Sequence, residues 1–296
     1  MIRGGGRGRR GRNRDEPLYG EPLYQVELGQ GVFAWIDPEP GFGRSNLGLV
    51  IDADGLTVID TTATRQRGAE ARAAMEELTA DLGLPIKRVL VTSSRVAFTG
   101  GGTAFWPAAY YGTDPVSDQL DEPGNPEVFR RLLPDLAPAY DDEFVTRPIT
   151  HTVSERAWLT PAVELVCLPG EGPANLVAVV PTAGVVFAGA LGSFGVTPLA
   201  FDGDPLAWAR SLDALAELGT TVVPGHGPPG GAADLADQAA YLRACAATAP
   251  GAALPPGPWD RWADRRFDPV NQERAALLAA GDPSVPRAML ELLDLV

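Results

Sequence analysis

The chain has 296 residues, 45% of them hydrophobic, enough to bury a sizeable core in one large or two small domains. Its net charge of −14 is uneven: six Arg and no acid fall within residues 1–14, which leaves −20 on the remainder. So acidic a body repels polyphosphate and is a poor candidate for nucleic-acid binding, so no nucleic-acid partner is expected of it, and no apolar run approaches the roughly 18 residues of a membrane span.

The opening MIRGGGRGRRGRNRD has positive charge but no apolar stretch behind it, so it does not read as a secretory signal, and a cytoplasmic protein is expected. Residues 1–20 are expected to be a disordered Arg/Gly-rich tail. From 24 to 37, YQVELGQGVFAWID alternates apolar and polar residues as a half-buried strand does. NLGLVID (46–52) and GLTVIDTT (55–62), linked by Ala53-Asp54, read as a hairpin. A helix is expected over 65–83, with apolar positions at Ala69, Ala73, Met75 and Leu78. KRVLVTS (87–93) is a nearly all-apolar strand of the kind covered on both faces. A strand at 108–114 and a helical region at 125–140 follow.

The second half repeats this grammar, with strands expected at 144–153, 158–168, 176–181 and 184–190. A helix at 204–219, with Trp208, Leu212 and Leu215 at core spacing, leads into the strand 220–226. Residues 231–296 read as largely helical. Two runs of strands, each followed by helices, imply two packed sheets with helices outside. Cys167 and Cys245 belong to no CxxC or Cys/His cluster and read as two free thiols, so no thiolate zinc site is implied.

Five segments, in order, resemble the motifs of metallo-β-lactamase-fold hydrolases. SNLGLVIDADGLTVIDTT (45–62) is similar to the opening hairpin, including Asp60 at the end of its second strand. VTSSRVAFTGG (91–101) keeps the frame of the signature loop at Thr92, Thr99, Gly100 and Gly101. Where the family reads His-x-His-x-Asp-His, this sequence has Ser93, Arg95, Ala97 and Phe98. LPGEGPANLVAVV (168–180) places Glu171 at a third-segment His, VVFAGALGS (185–193) places Ala190 at the bridging Asp, and VVPGHGP (222–228) keeps His226. The resemblance covers residue 24 to about 230. It implies an α/β (α+β) four-layer αβ/βα sandwich over 21–230 with its site at one sheet edge, and 231–296 as a C-terminal helical extension packed on it.

The family's chemistry calls for zinc, which needs about three protein donors and an open position for water. Ala97, Phe98 and Ala190 offer no donor atom, Ser93 is a poor one, and the Arg95 guanidinium has no lone pair and stays charged. Glu171 and His226 alone do not hold zinc, and the chain has only two His. Asp60 is expected to support the loop from behind. No cofactor is expected, and Arg95 and Glu171 are expected to pair across the vacated pocket. The residues leave two readings open. One is a metal-free pseudoenzyme whose cleft takes a small molecule or a protein. The other is a divergent hydrolase of an ester, thioester or lactam, using Ser93/His226/Glu171 or an atypical metal site. His151 has no family counterpart and reads as structural or surface; the Gly100–Gly101 amides are either anion donors or parts of a turn.

Overall fold

Tyr24–Gly29 (β1) and Val32–Ile36 (β2) split the alternating run into two antiparallel strands rather than one, with the turn at residues 30–31. The computed structural model describes residues 21–122 and 124–296; the Arg/Gly-rich segment 1–20 lies outside them. Leu47–Asp52 (β3) and Gly55–Ile59 (β4) form the expected hairpin. Arg65–Leu78 (α1), N-capped by the Thr64 hydroxyl, crosses over to Ile86–Leu90 (β5), which lies parallel to β4. A short helix at Val96–Thr99 (α2) follows, then Ala109–Gly112 (β6).

Four departures from the expected elements occur at prolines. Asp114–Leu120 is a helix (α3) opened by Pro115 in its first turn, and Pro126–Leu132 (α4) stops before Pro134, beyond which the chain narrows to a 3₁₀ turn. Pro148 interrupts the strand expected over 144–153, leaving His151–Thr152 (β7). Pro161 sits in the turn that divides 158–168 into Ala157–Trp158 (β8) and Glu164–Leu168 (β9), closed by the Leu159 amide on the Val163 carbonyl at 2.9 Å. Asn175–Val180 (β10) and Val185–Ser193 (β11) come next, and Pro205–Leu215 (α5) crosses to Thr221–His226 (β12), parallel to β11. Ala232–Ala247 (α6), Asp268–Ala279 (α7) and Arg287–Leu292 (α8) complete the described chain.

Among the described residues the strands form a seven-stranded sheet in the order β1 to β7 and a five-stranded sheet in the order β12-β11-β10-β9-β8. Side-chain alternation sorts the apolar residues into three layers. Val32, Ala34, Ile36 and Ile59 of the first sheet meet Leu165, Leu176, Ala178 and Phe187 of the second in a central core. The opposite face of the first sheet packs Trp35, Leu49 and Val58 on Ala71 and Met75 of α1. The opposite face of the second packs Val177, Val179 and Val186 on Trp208, Leu212 and Leu215 of α5, and Leu235, Tyr241 and Leu242 of α6 join that same cluster. Helix, sheet, sheet, helix is therefore the order of layers. The two cysteines are free, and no helix of the described residues is long and apolar enough to cross a membrane.

Candidate functional site

The segments after β5 and β9, the body of β11 and the end of β12 come together at one edge of the sandwich. They carry Ser93 and Arg95, Glu171, Ala190 and His226 respectively. Such edges, beyond strand carboxyl ends, are where α/β folds place their sites.

Thr92 ties the two sheets together there. Its amide donates to Asp60 Oδ1 at 2.9 Å and its hydroxyl to Asp60 Oδ2 at 2.8 Å, while that hydroxyl accepts from the Ala190 amide at 3.0 Å. The Thr92 carbonyl accepts from the Leu176 amide at 3.2 Å and from Asn175 Nδ2 at 3.1 Å. Gly189, at φ +50°, permits this approach, since a Cβ there would lie 2.3 Å from Thr92 Cγ2. Asp60, itself at φ +60°, is buried, and burial pushes its carboxyl up to about 8 against the opposing pull of the Thr92 bonds.

Steric contact also accounts for the glycine pair behind the loop. A Cβ on Gly100 would meet the Ala63 carbonyl oxygen at 2.0 Å, and one on Gly101 the Thr61 carbonyl oxygen at 1.9 Å. Their amides donate to the Val96 and Thr62 carbonyls at 2.9 and 3.1 Å. The turn reading of this pair therefore holds, and the anion-donor reading is corrected: both amides are spent inside the protein.

The former ligand positions divide into two halves. In the polar half the Ser93 hydroxyl donates to Glu171 Oε2, and Glu171 Oε1 lies 3.8 Å from Arg95 Nε. Arg95 Nη2 donates to Asp202, and its guanidinium lies over the Phe201 ring, 4.1 Å from the centroid. Asn175 Nδ2 stands 3.5 Å from Glu171 Oε2. Burial drives the Glu171 carboxyl up to about 7, although Arg95 and the Ser93 bond pull it down.

The other half is apolar. Ala97, Phe98 and Ala190 pack on one another, with Phe98 fully buried. The Phe98 ring lies 5.2 Å from the His226 ring, and Phe42 covers another side of it at 5.6 Å. His226 Nδ1 is 3.1 Å from the Arg44 carbonyl oxygen, an acceptor only, so Nδ1 carries the proton. Burial holds this imidazole below its ordinary value, and at neutral pH it is uncharged.

The structure thus brings Ser93, Arg95 and Glu171 into direct contact and sets His226 apart from them. The Ser93 hydroxyl is committed to Glu171, and among the described residues no hydrogen bond joins it to His226. His151 lies exposed on β7, stacked on Tyr111 at 4.7 Å. Sequence reasoning missed Asp202 and Phe201, the close partners of Arg95, and Asn175. Asp202 lies 107 positions from Arg95, and no motif links them. Asn175 sits inside the segment that carries Glu171 and was legible there as a short-range donor.

The donor set does not fit zinc. Among the described residues no group of three or more His, Cys, Asp or Glu is arranged to hold a metal ion. Phe98, at one of the positions that resemble ligand positions, packs on Ala97 and Ala190, and a guanidinium stands at another.

No family model matches the sequence, and no curated relative does either. Solved structures do. The metallo-β-lactamase FIM-1 from Pseudomonas aeruginosa, in its mono-zinc form, superposes with a TM-score of 0.58 at 20% identity, over 77% of this chain and 97% of that one. A metallo-β-lactamase from Erythrobacter litoralis gives 0.55 at 20% identity, covering 74% of this chain and 96% of that one. One from Hirschia baltica gives 0.55 at 18%, covering 75% and 98%. The chain has the metallo-β-lactamase fold, a four-layer αβ/βα sandwich.

Proposed function

We propose that this chain, a metallo-β-lactamase fold with a dismantled metal site, works without a bound metal and uses its remodelled cleft to bind a ligand or partner. One observation carries the reading: the former ligand positions satisfy one another. Ser93, Arg95, Glu171 and Asp202 close an ion-pair and hydrogen-bond network, and Ala97, Phe98 and Ala190 fill the remainder. A site that had only decayed would leave unpaired buried charge, which costs several kcal/mol. Fold does not settle activity, so the site decides.

The hydrolytic alternative with Ser93, His226 and Glu171 requires a serine–histidine contact near 3 Å. Ser93 bonds to Glu171 instead, and His226 sits between two phenylalanine rings. Metal analysis of protein purified without chelator, combined with an ester and thioester hydrolysis assay, tests the proposal. It expects metal far below one equivalent per chain and no turnover. Zinc or iron near one per chain, or turnover abolished by Ser93→Ala, would overturn it.

A further inference from the structure

A cavity of about 390 Å³ opens beside the Arg95–Asp202 pair, within the size range of small-molecule sites. Its walls come from residues 94–97, at the start of α2, from α4 through Val128, Phe129 and Leu132, and from α8 and its end through Met289, Leu290 and Leu293. These residues are far apart in sequence, so the cavity exists only because the C-terminal helix lies against the region between β6 and β7. We infer that this cavity binds an uncharged, mainly hydrocarbon or aromatic small molecule. The inference deepens the ligand-binding reading and rests on it.

Three observations point to that chemistry. First, Arg95 and Asp202 are the only charged residues lining the cavity among those described, and they neutralise each other. Arg95 is further engaged by Phe201 and lies 3.8 Å from Glu171, so an anionic ligand would have to displace a carboxylate already in place. A cationic ligand would meet the guanidinium. Second, the Thr146 hydroxyl in the wall is buried without a hydrogen-bond partner. That hydroxyl can bond to a ligand at the cost of no existing bond, which provides for one polar group on an otherwise apolar ligand.

Third, the walls are tied in place rather than left to collapse. Arg274 donates to the Asp202 and Gly203 carbonyls at 3.0 and 2.8 Å and to Pro283 and Ser284 at 3.0 Å, joining the loop after β11 to the approach of α8. Arg131 Nη1 holds the Leu293 and Asp294 carbonyls at 2.7 and 2.8 Å, and Glu273 accepts from the Ala288 amide at 2.8 Å. A pre-formed apolar cavity binds without a large ordering cost. The Arg-rich segment 1–14, with six guanidinium groups and no acid, is chemically unsuited to fill it.

Fluorescence titration of the full chain with two dyes of one skeleton tests the inference: uncharged N-phenyl-1-naphthylamine and its sulfonated relative 8-anilino-1-naphthalenesulfonate. One saturable site is expected, favouring the uncharged dye by about tenfold or more. Val128→Trp on α4 and Leu290→Trp on α8, which add bulk at two lining positions, are each expected to weaken that binding by about tenfold while the melting curve stays cooperative. Absence of saturable binding to the full chain, tighter binding of the sulfonate, or undiminished binding to both folded variants would overturn the inference. Metal content measured on the same sample keeps the two claims apart. Stoichiometric metal would remove the metal-free reading, whereas dye binding alone decides the ligand class.

Discussion

Replacing Glu171 by Gln isolates the electrostatics of the remodelled site. Burial raises this carboxyl from an ordinary 4.5 to about 7, so the folded protein holds its proton more tightly than the unfolded chain. The sign follows: Glu171 is most favourable to folding below pH 4.5, and its contribution is lost as pH rises from 4.5 through about 7, then levels off. Over that whole interval the loss is about 3 kcal/mol. The sequence pI is ≈ 4.6, so measurement belongs at pH 5.5 and above, where roughly 2 kcal/mol of the effect remains. Gln resembles the protonated acid in shape, can still accept from the Ser93 hydroxyl, and has no proton to lose. Urea unfolding of both proteins at intervals between pH 5.5 and 8.5 reads the difference directly. Relative to Glu171→Gln, the parent protein is expected to lose about 2 kcal/mol across this range, while the surface groups contribute nearly equally to both and cancel; the smaller upward push of Glu171 on the Asp60 carboxyl acts in the same direction. Parallel stability–pH curves would refute the reasoning, because they would mean that the carboxyl titrates alike in both states.

Arg95→Met is expected to destabilise the protein by about 2 kcal/mol at pH 8 and by clearly less at pH 5.5, since a protonated Glu171 needs no cation beside it; urea midpoints at the two pH values check this. Phe98→Ala empties the apolar half of the site and is expected to cost about 3–5 kcal/mol. It also admits water to His226, whose pKa should then rise toward 6.5, and a proton NMR titration can follow it because the chain's other histidine, His151, is exposed.

Much of the fold was written in local pattern. Alternation marked most strands, the Ala53-Asp54 link marked the hairpin, and the change from alternating to helical spacing marked α1 and α5. The run 24–37 was divided by a turn at residues 30–31, and the other errors fell at prolines, at Pro134, Pro148 and Pro161, where a missing donor ended an element that the apolar pattern would have continued. The glycine pair was also legible, although its reason was not. Gly100 and Gly101 are demanded by carbonyl oxygens 37 and 40 residues earlier in the chain, at Ala63 and Thr61 respectively.

The sequence by itself determined that the positions resembling the family's ligands lack most of the donors, because donor chemistry is a property of residue type: alanine and phenylalanine have no lone pair to offer in any fold. It also determined which positions could meet, since the ordered motifs assigned Ser93, Arg95 and Glu171 to one sheet edge. Only the tertiary structure decided what those residues do instead. Packing put Phe98 against His226, and the Ser93 hydroxyl bonds to Glu171 instead. It placed Asp202 and Phe201 on Arg95, and it raised Glu171 by surrounding it with protein instead of water. Those outcomes depend on distances between segments about a hundred residues apart and on the solvent they exclude, which no local pattern carries.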